Sequence, residues 1–277
     1  MSTSSVYPLG IGDAFHLAEL AGFDGIEVMI NRDPASRDVD LIRSLVTRHG
    51  LPVLSVHAPV LPGTELLWGL DGRRKVERSA RLAVALAATT VVVHPPYLWQ
   101  PRWGRRFERS VREIAEQYGV EIAVENMFGL QIGRRKIVVH TTAHIADLDC
   151  EAFTLDVSHA AADGRDALEL GLELGERLRH VHLCDGHAAI EGARLADEHL
   201  VPGRGGQPVG EIVRMLAERE WDGTLVAEVK TSHAADGAER LAMLAETVRF
   251  TRARASIPPL TRSRVADPPR SRADAVG

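Results

Sequence analysis

A chain of 277 residues with 45% apolar and 26% charged content has enough material for a full hydrophobic core, as one α/β barrel or as two smaller domains. The formal net charge of -5 and an aromatic content of 5% leave no basic footprint, which disfavours nucleic acid and anionic membranes as partners. No run reaches transmembrane length, the first residues carry no leader pattern, and Cys150 and Cys184 lack finger or redox spacing, so a soluble cytoplasmic protein is expected.

In chain order, short β-branched runs alternate with amphipathic stretches. Residues 6–12 read as a weak first strand, and Asp13 as the N-cap of a helix running to Ala21 and stopped by Gly22. Strand two is 25–30, followed by a helix over 39–49 and a third strand over 52–57. A helix over 72–88 precedes strand four at 89–94, and a helix over 105–118 precedes strand five at 120–125. A short helix is expected near 142–146. Strand six is the run Phe153-Thr154-Leu155-Asp156, then a helix over 166–178 and strand seven at 179–183. A helix over 209–220, strand eight at 223–228 and a last helix over 238–254 complete the pattern. Apolar strands alternating with helices imply a parallel sheet covered on both faces, and eight such units imply a (β/α)8 TIM barrel. No Gly-x-Gly-x-x-Gly follows the first strand, which argues against dinucleotide binding. Residues 1–255 are expected to form this single domain. Residues 256–277, with paired prolines, several arginines and no apolar period, are expected to be a disordered tail.

What ends the strands carries the functional signal. Glu27, His57, His94, Glu125, Asp156, His182 and Glu228 each fall near the end of a different strand. In a barrel the C-terminal strand ends converge on one mouth, and so many carboxylates gathered there repel one another unless a cation lies between them. Histidine and carboxylate donors suit a divalent metal. Of His180 and His182, the latter is assigned to the mouth and the former is expected to face the other way. Cys184, with no second cysteine near it in sequence, is assigned to packing. The loop after strand seven adds Asp197 and His199, spaced to face the same side of an extended segment. It also contains Pro202-Gly203-Arg204-Gly205, a tight turn whose N–H groups suit a phosphate or a sugar hydroxyl. Trp99 and Trp103 flank a mouth loop, either as a stacking surface for a sugar or as an apolar patch.

In this order, Gly25-Ile26-Glu27, Ser55-Val56-His57-Ala58-Pro59, Val124-Glu125-Asn126, Asp156-Val157-Ser158-His159, His180-Val181-His182-Leu183-Cys184-Asp185, Asp197-Glu198-His199 with the glycine-rich loop, and Ala227-Glu228 resemble the xylose isomerase-like TIM-barrel superfamily, which includes sugar epimerases and endonuclease IV. The resemblance implies two alternatives. In the epimerase type, Glu125, Asp156, His182 and Glu228 hold one Mn, Mg or Co ion. Glu125 and Glu228 then exchange a proton with the substrate carbon through an enediolate, while His57, His94, His159 and Arg204 contact the substrate. In the endonuclease IV type, His57, His94, Glu125, Asp156, His159, His182, Asp197, His199 and Glu228 hold three Zn ions that cleave a phosphodiester. The acidic, aromatic-poor composition favours an isomerase or epimerase acting on a small carbohydrate or polyol, with a homo-oligomer consistent with such barrels.

Overall fold

The computed structural model describes residues 1–59, 64, 67–132, 135–137, 139–142, 144–188 and 197–256. Of the tail expected at 256–277, Ser256 caps the last helix and the rest lies outside the described residues. Seven parallel strands form one sheet in the order β1 (Ile26–Met29), β2 (Val53–His57), β3 (Thr90–Val93), β4 (Glu121–Glu125), β7 (Ala152–Asp156), β8 (Leu178–Leu183) and β9 (Thr224–Ala227). An antiparallel hairpin, β5 (Leu130–Ile132) with β6 (Arg135–Ile137), lies between β4 and β7 in the chain. The helices are α1 (Ile11–Ala21), α2 (Val39–His49), α3 (Gly72–Ala85), α4 (Pro101–Gly104), α5 (Phe107–Tyr118), α6 (Val157–Ala162), α7 (Ala167–Leu174), α8 (Val209–Glu218) and α9 (Gly237–Ala255). Alternation of strand and helix around a parallel sheet is the TIM-barrel arrangement. Among the described residues, no helix is long and apolar enough to cross a membrane.

The strands are apolar along their whole length because both faces are covered. Val56, Val91, Val93, Ile122, Val124, Phe153, Leu155 and Val181 are all buried. Outside the sheet, α1, α2, α3, α5, α7 and α8 each lay an apolar stripe against it, with Phe15, Ile42, Ala83, Ile114, Leu170 and Ile212 at the contact. Several helices start where the sequence places a cap. The carboxylates of Asp38, Asp71, Asp166 and Asp236 each accept backbone N–H groups of the first turn.

The barrel closes differently from expectation. Residues 6–12 are not a strand: Thr3–Val6 form a 3-10 turn capped by Ser2, and α1 starts at Ile11 with Gly10, not Asp13, as its N-cap. The first-strand position is filled by Met1 and Ser2. Ser2 N–H donates to Ala227 O of β9 at 2.9 Å, and Glu27 N–H of β1 donates to Met1 O at 2.9 Å. Ser2 pairs parallel with Glu27 as a single bridge. Pro8 and Gly10, which break a strand ladder, explain why the apolar residues around them cannot serve. The helix expected at 142–146 is a 3-10 turn at Ile145–Asp147, and the hairpin of β5 and β6 was not expected.

Candidate functional site

The sheet registers line up the C-terminal strand ends in layers. Asp156 pairs with His182 across β7 and β8, and His180 pairs with Thr154 one layer below. Met29 of β1 pairs with His57, and Glu27 with Ser55. Side chains two apart on a strand project from the same face, so His180 and His182 both point into the barrel. This corrects the expectation that His180 turns away: both are fully buried, with rings 4.9 Å apart.

The upper layer is a knot of imidazoles and carboxylates. His182 Nδ1 lies 3.0 Å from Glu125 Oε1, 2.9 Å from Glu228 Oε2 and 3.4 Å from Asp156 Oδ2. On its other edge, His182 Nε2 is 3.1 Å from Glu27 Oε1, and the second oxygen of Glu27 is held by His180 Nε2 at 3.1 Å and Ser55 Oγ at 2.8 Å. Glu125 is the hub. Its Oε2 faces His57 Nε2 at 3.1 Å and His94 Nε2 at 2.9 Å, and its Oε1 also faces His159 Nδ1 at 3.3 Å. Beside it, His199 Nε2 lies 2.9 Å from Asp197 Oδ1, and His159 Nε2 lies 3.8 Å from the same oxygen.

The local sequence explains these positions. Asp156 ends β7 and caps α6, its Oδ1 accepting His159 N–H at 2.7 Å, so His159 sits in the first turn of a helix at the mouth. Asn126 locks the ends of β4 and β7 together: its amide donates to Asp156 O at 2.9 Å and its oxygen accepts Asp156 N–H at 2.7 Å. Ser158 Oγ donates to Asp197 Oδ1 at 2.9 Å and accepts His199 N–H at 3.0 Å, which anchors the long loop to α6. Ser4 Oγ donates to Glu228 Oε1 at 2.7 Å.

Electrostatics follow from this crowding. Burial pushes the carboxyl of Glu125 up, but His182 and His94 pull it well below the usual range. Burial likewise opposes ionisation of Glu228, and His182 brings it down to about 2. His182 is the converse: burial disfavours its proton, yet Glu228, Glu27 and Glu125 hold it well above the ordinary imidazole value. His159 is raised to about 10, with burial outweighed by Asp156 and Glu125. His180 and His94 are lowered by burial.

The donor set fits a divalent cation. One N–H donates well to one acceptor, so three carboxylate oxygens within 3.4 Å of His182 Nδ1 place more negative charge there than one proton balances. Buried Asp156 Oδ2 has no hydrogen-bond partner. Ligands held at roughly 2.1 Å from one ion stand about 3 Å apart, the spacing found around His182 Nδ1. Further groups have ligand atoms within 4.8 Å of one another, among them His57, His94 and Glu125; His159, Asp197 and His199; and Asp156, Cys184 and His199.

Other expectations land elsewhere. Arg204 pairs with Glu246 of α9 through both Nε at 3.1 Å and Nη2 at 2.6 Å, away from the knot. The glycine-rich loop uses its N–H groups internally. Gly203 N–H donates to Asp185 Oδ2 at 2.9 Å, Arg204 N–H to Val201 O at 3.0 Å and Gly206 N–H to Gly186 O at 3.0 Å. A Cβ at Gly205 would come within 2.3 Å of Asp185 Oδ1, so this loop is glycine-rich in order to wrap a buried carboxylate. Trp103 packs edge-on against Phe107 and fills the space beside Gly72, whereas Trp99 is exposed and stacks on Tyr97 at 4.4 Å. Tyr97 stacks in turn on His140, whose ring lies 6.4 Å from that of His94. Nothing in the sequence pattern marks His140, a lone histidine after a hairpin.

A parallel barrel with a histidine and carboxylate mouth defines a broad class of TIM-barrel proteins. Within it, the chain belongs to the xylose isomerase-like TIM barrel family, whose model matches residues 15–254. An uncharacterised protein of Mycobacterium tuberculosis is 41% identical over 272 residues, covering 91% of this chain and 95% of that one. Fructoselysine 3-epimerase of Escherichia coli O157:H7 is 24% identical over 255 residues, covering 84% of this chain and 90% of its own. Among solved structures, D-psicose 3-epimerase in the presence of D-fructose superposes with a TM-score of 0.65 at 18% identity, over 92% of this chain and 98% of that one.

Proposed function

We propose that the protein is a divalent metal-dependent isomerase or epimerase of a small carbohydrate or polyol. The observation that carries this reading is the convergence of Glu125, Asp156 and Glu228 oxygens on His182 Nδ1 at 2.9–3.4 Å. In this reading these four residues hold one Mn, Mg or Co ion, which when bound supplies charge that favours an ionised substrate oxygen. Glu125 ends β4 and Glu228 follows directly on β9, and in this reading they face the substrate carbon from two sides. Each is ionised at neutral pH, so one accepts the proton from the carbon beside the carbonyl and the other side returns it. His57, His94 and His159 line the same space and supply N–H donors to substrate oxygens. The kinship with fructoselysine 3-epimerase supports a sugar substrate.

The test is solvent exchange. With Mn²⁺ and a panel of ketoses and inososes in D2O, deuterium is expected at a carbon next to the carbonyl, and Glu228→Gln is expected to slow its entry roughly 10²-fold or more. No exchange with any member of the panel would overturn the reading.

A second reading has its own observation. The groups His57–His94–Glu125 and His159–Asp197–His199 flank the central one, which is the donor arrangement of a three-zinc phosphodiesterase. It predicts about three zinc per mouth and EDTA-resistant cleavage of an abasic-site duplex, against about one metal and no cleavage for the epimerase.

A further inference from the structure

A separate cluster lies on the outside of the barrel. His16 and Glu19 are three apart on α1 and so share one face of that helix. Neighbouring α2 brings its last residue, His49, to the same place, with His49 Nδ1 2.8 Å from Glu19 Oε2 and its ring 6.2 Å from that of His16. One ligand atom from each of the three residues lies within 4.8 Å of the other two. We propose that His16, Glu19 and His49 form a peripheral Zn²⁺ site, independent of the mouth.

Two imidazoles and a carboxylate are the donor set that zinc, a borderline-soft ion, prefers, with a fourth position left to water. The His49 side chain is only 10% exposed and packs against Phe15 at 6.1 Å, so its orientation is fixed before any ion arrives. His16 is exposed, which leaves an entry path from solvent. His49 is also the last residue of α2, and the unpaired carbonyls there give that end of the helix a partial negative charge that favours a cation. The chain then turns at Gly50 into β2, which reaches the mouth only at His57, so the site belongs to the opposite end of the barrel. Binding exchanges the Glu19–His49 hydrogen bond for bonds from both residues to the ion and cross-links α1 to α2.

The experiment is equilibrium dialysis of the whole protein against Zn²⁺, with metal counted by mass spectrometry, in wild type, His16→Ala and His16→Ala/His49→Ala. The double variant is expected to bind one zinc fewer than wild type and to lose the zinc-dependent rise in Tm, with solvent exchange at the mouth unchanged. The exposed single change His16→Ala is expected to weaken the same equivalent by roughly tenfold or more, which decides the matter should the double variant fold poorly. Equal zinc counts and affinities in wild type and His16→Ala would overturn the site.

Discussion

Glu27 shows how one buried side chain sets the state of another. It contacts His180 and His182 with its two oxygens, so His182 presents Nδ1, not Nε2, to Glu125, Asp156 and Glu228. A carboxylate behind a ligating imidazole fixes its tautomer and raises its basicity. Glu27→Gln is therefore expected to leave the far-UV circular dichroism spectrum intact and to weaken metal binding at the mouth roughly 10–100-fold, as read by titration calorimetry. A wild-type affinity in this variant would remove Glu27 from the site. At this scale the sequence was informative wherever a donor type ended a strand, because strand ends converge in a barrel whatever the details of packing. It misleads for His180, which shares the inner face with His182 because strand faces repeat every two residues. It places Arg204 against the substrate, whereas the side chain is taken up by Glu246, and that pull comes from a helix 42 residues further along the chain.

At the scale of elements, the glycine-rich turn of the loop after β8 is wrapped on one carboxylate. Asp185 is 1% exposed and accepts N–H groups from Gly186, Gly203 and Gln207. Asp185→Ala leaves these donors without partners, and each buried orphan costs about 1–3 kcal/mol. A fall in Tm of many degrees is expected by calorimetry, together with faster hydrogen exchange at Gly203 and Gln207. A loss confined to activity, with Tm unchanged, would contradict this account. Helices such as α2 and strands such as β2 and β4 were readable to within a residue or so, since apolar period and caps agree there. The hairpin of β5 and β6 was not, because Gln131, Arg135 and Lys136 interrupt any apolar alternation in so short a run. The first strand was not readable either, since a pair of residues at Met1 and Ser2 carries no period at all.

For the whole molecule, the buried thiols set an alkaline limit. Burial pushes Cys150 up to about 12, with Glu108 and Asp149 adding to it, and burial does the same for Cys184. Between the ordinary thiol value and about 12 the folded chain keeps protons that the unfolded chain has released, so stability falls as pH rises through that window. Tm is expected to decline above about pH 9, and alkylation of both cysteines at pH 8 to be slow until the protein unfolds, as followed by mass spectrometry. Rapid native-state labelling of Cys150 would refute the burial argument. The closure of the barrel has a consequence of another kind. The segment that joins β9 to β1 also touches the mouth, for Ser4 holds Glu228 and Ser5 Oγ accepts Val229 N–H at 3.1 Å while donating to Ala227 O. Any load on these first residues acts as a lever on the carboxylate assigned to proton transfer. Tethering residues 1–5 is thus a kinetic perturbation, felt in turnover, whereas trimming them also removes the Met1 and Ser2 pairing that closes the barrel and lowers Tm.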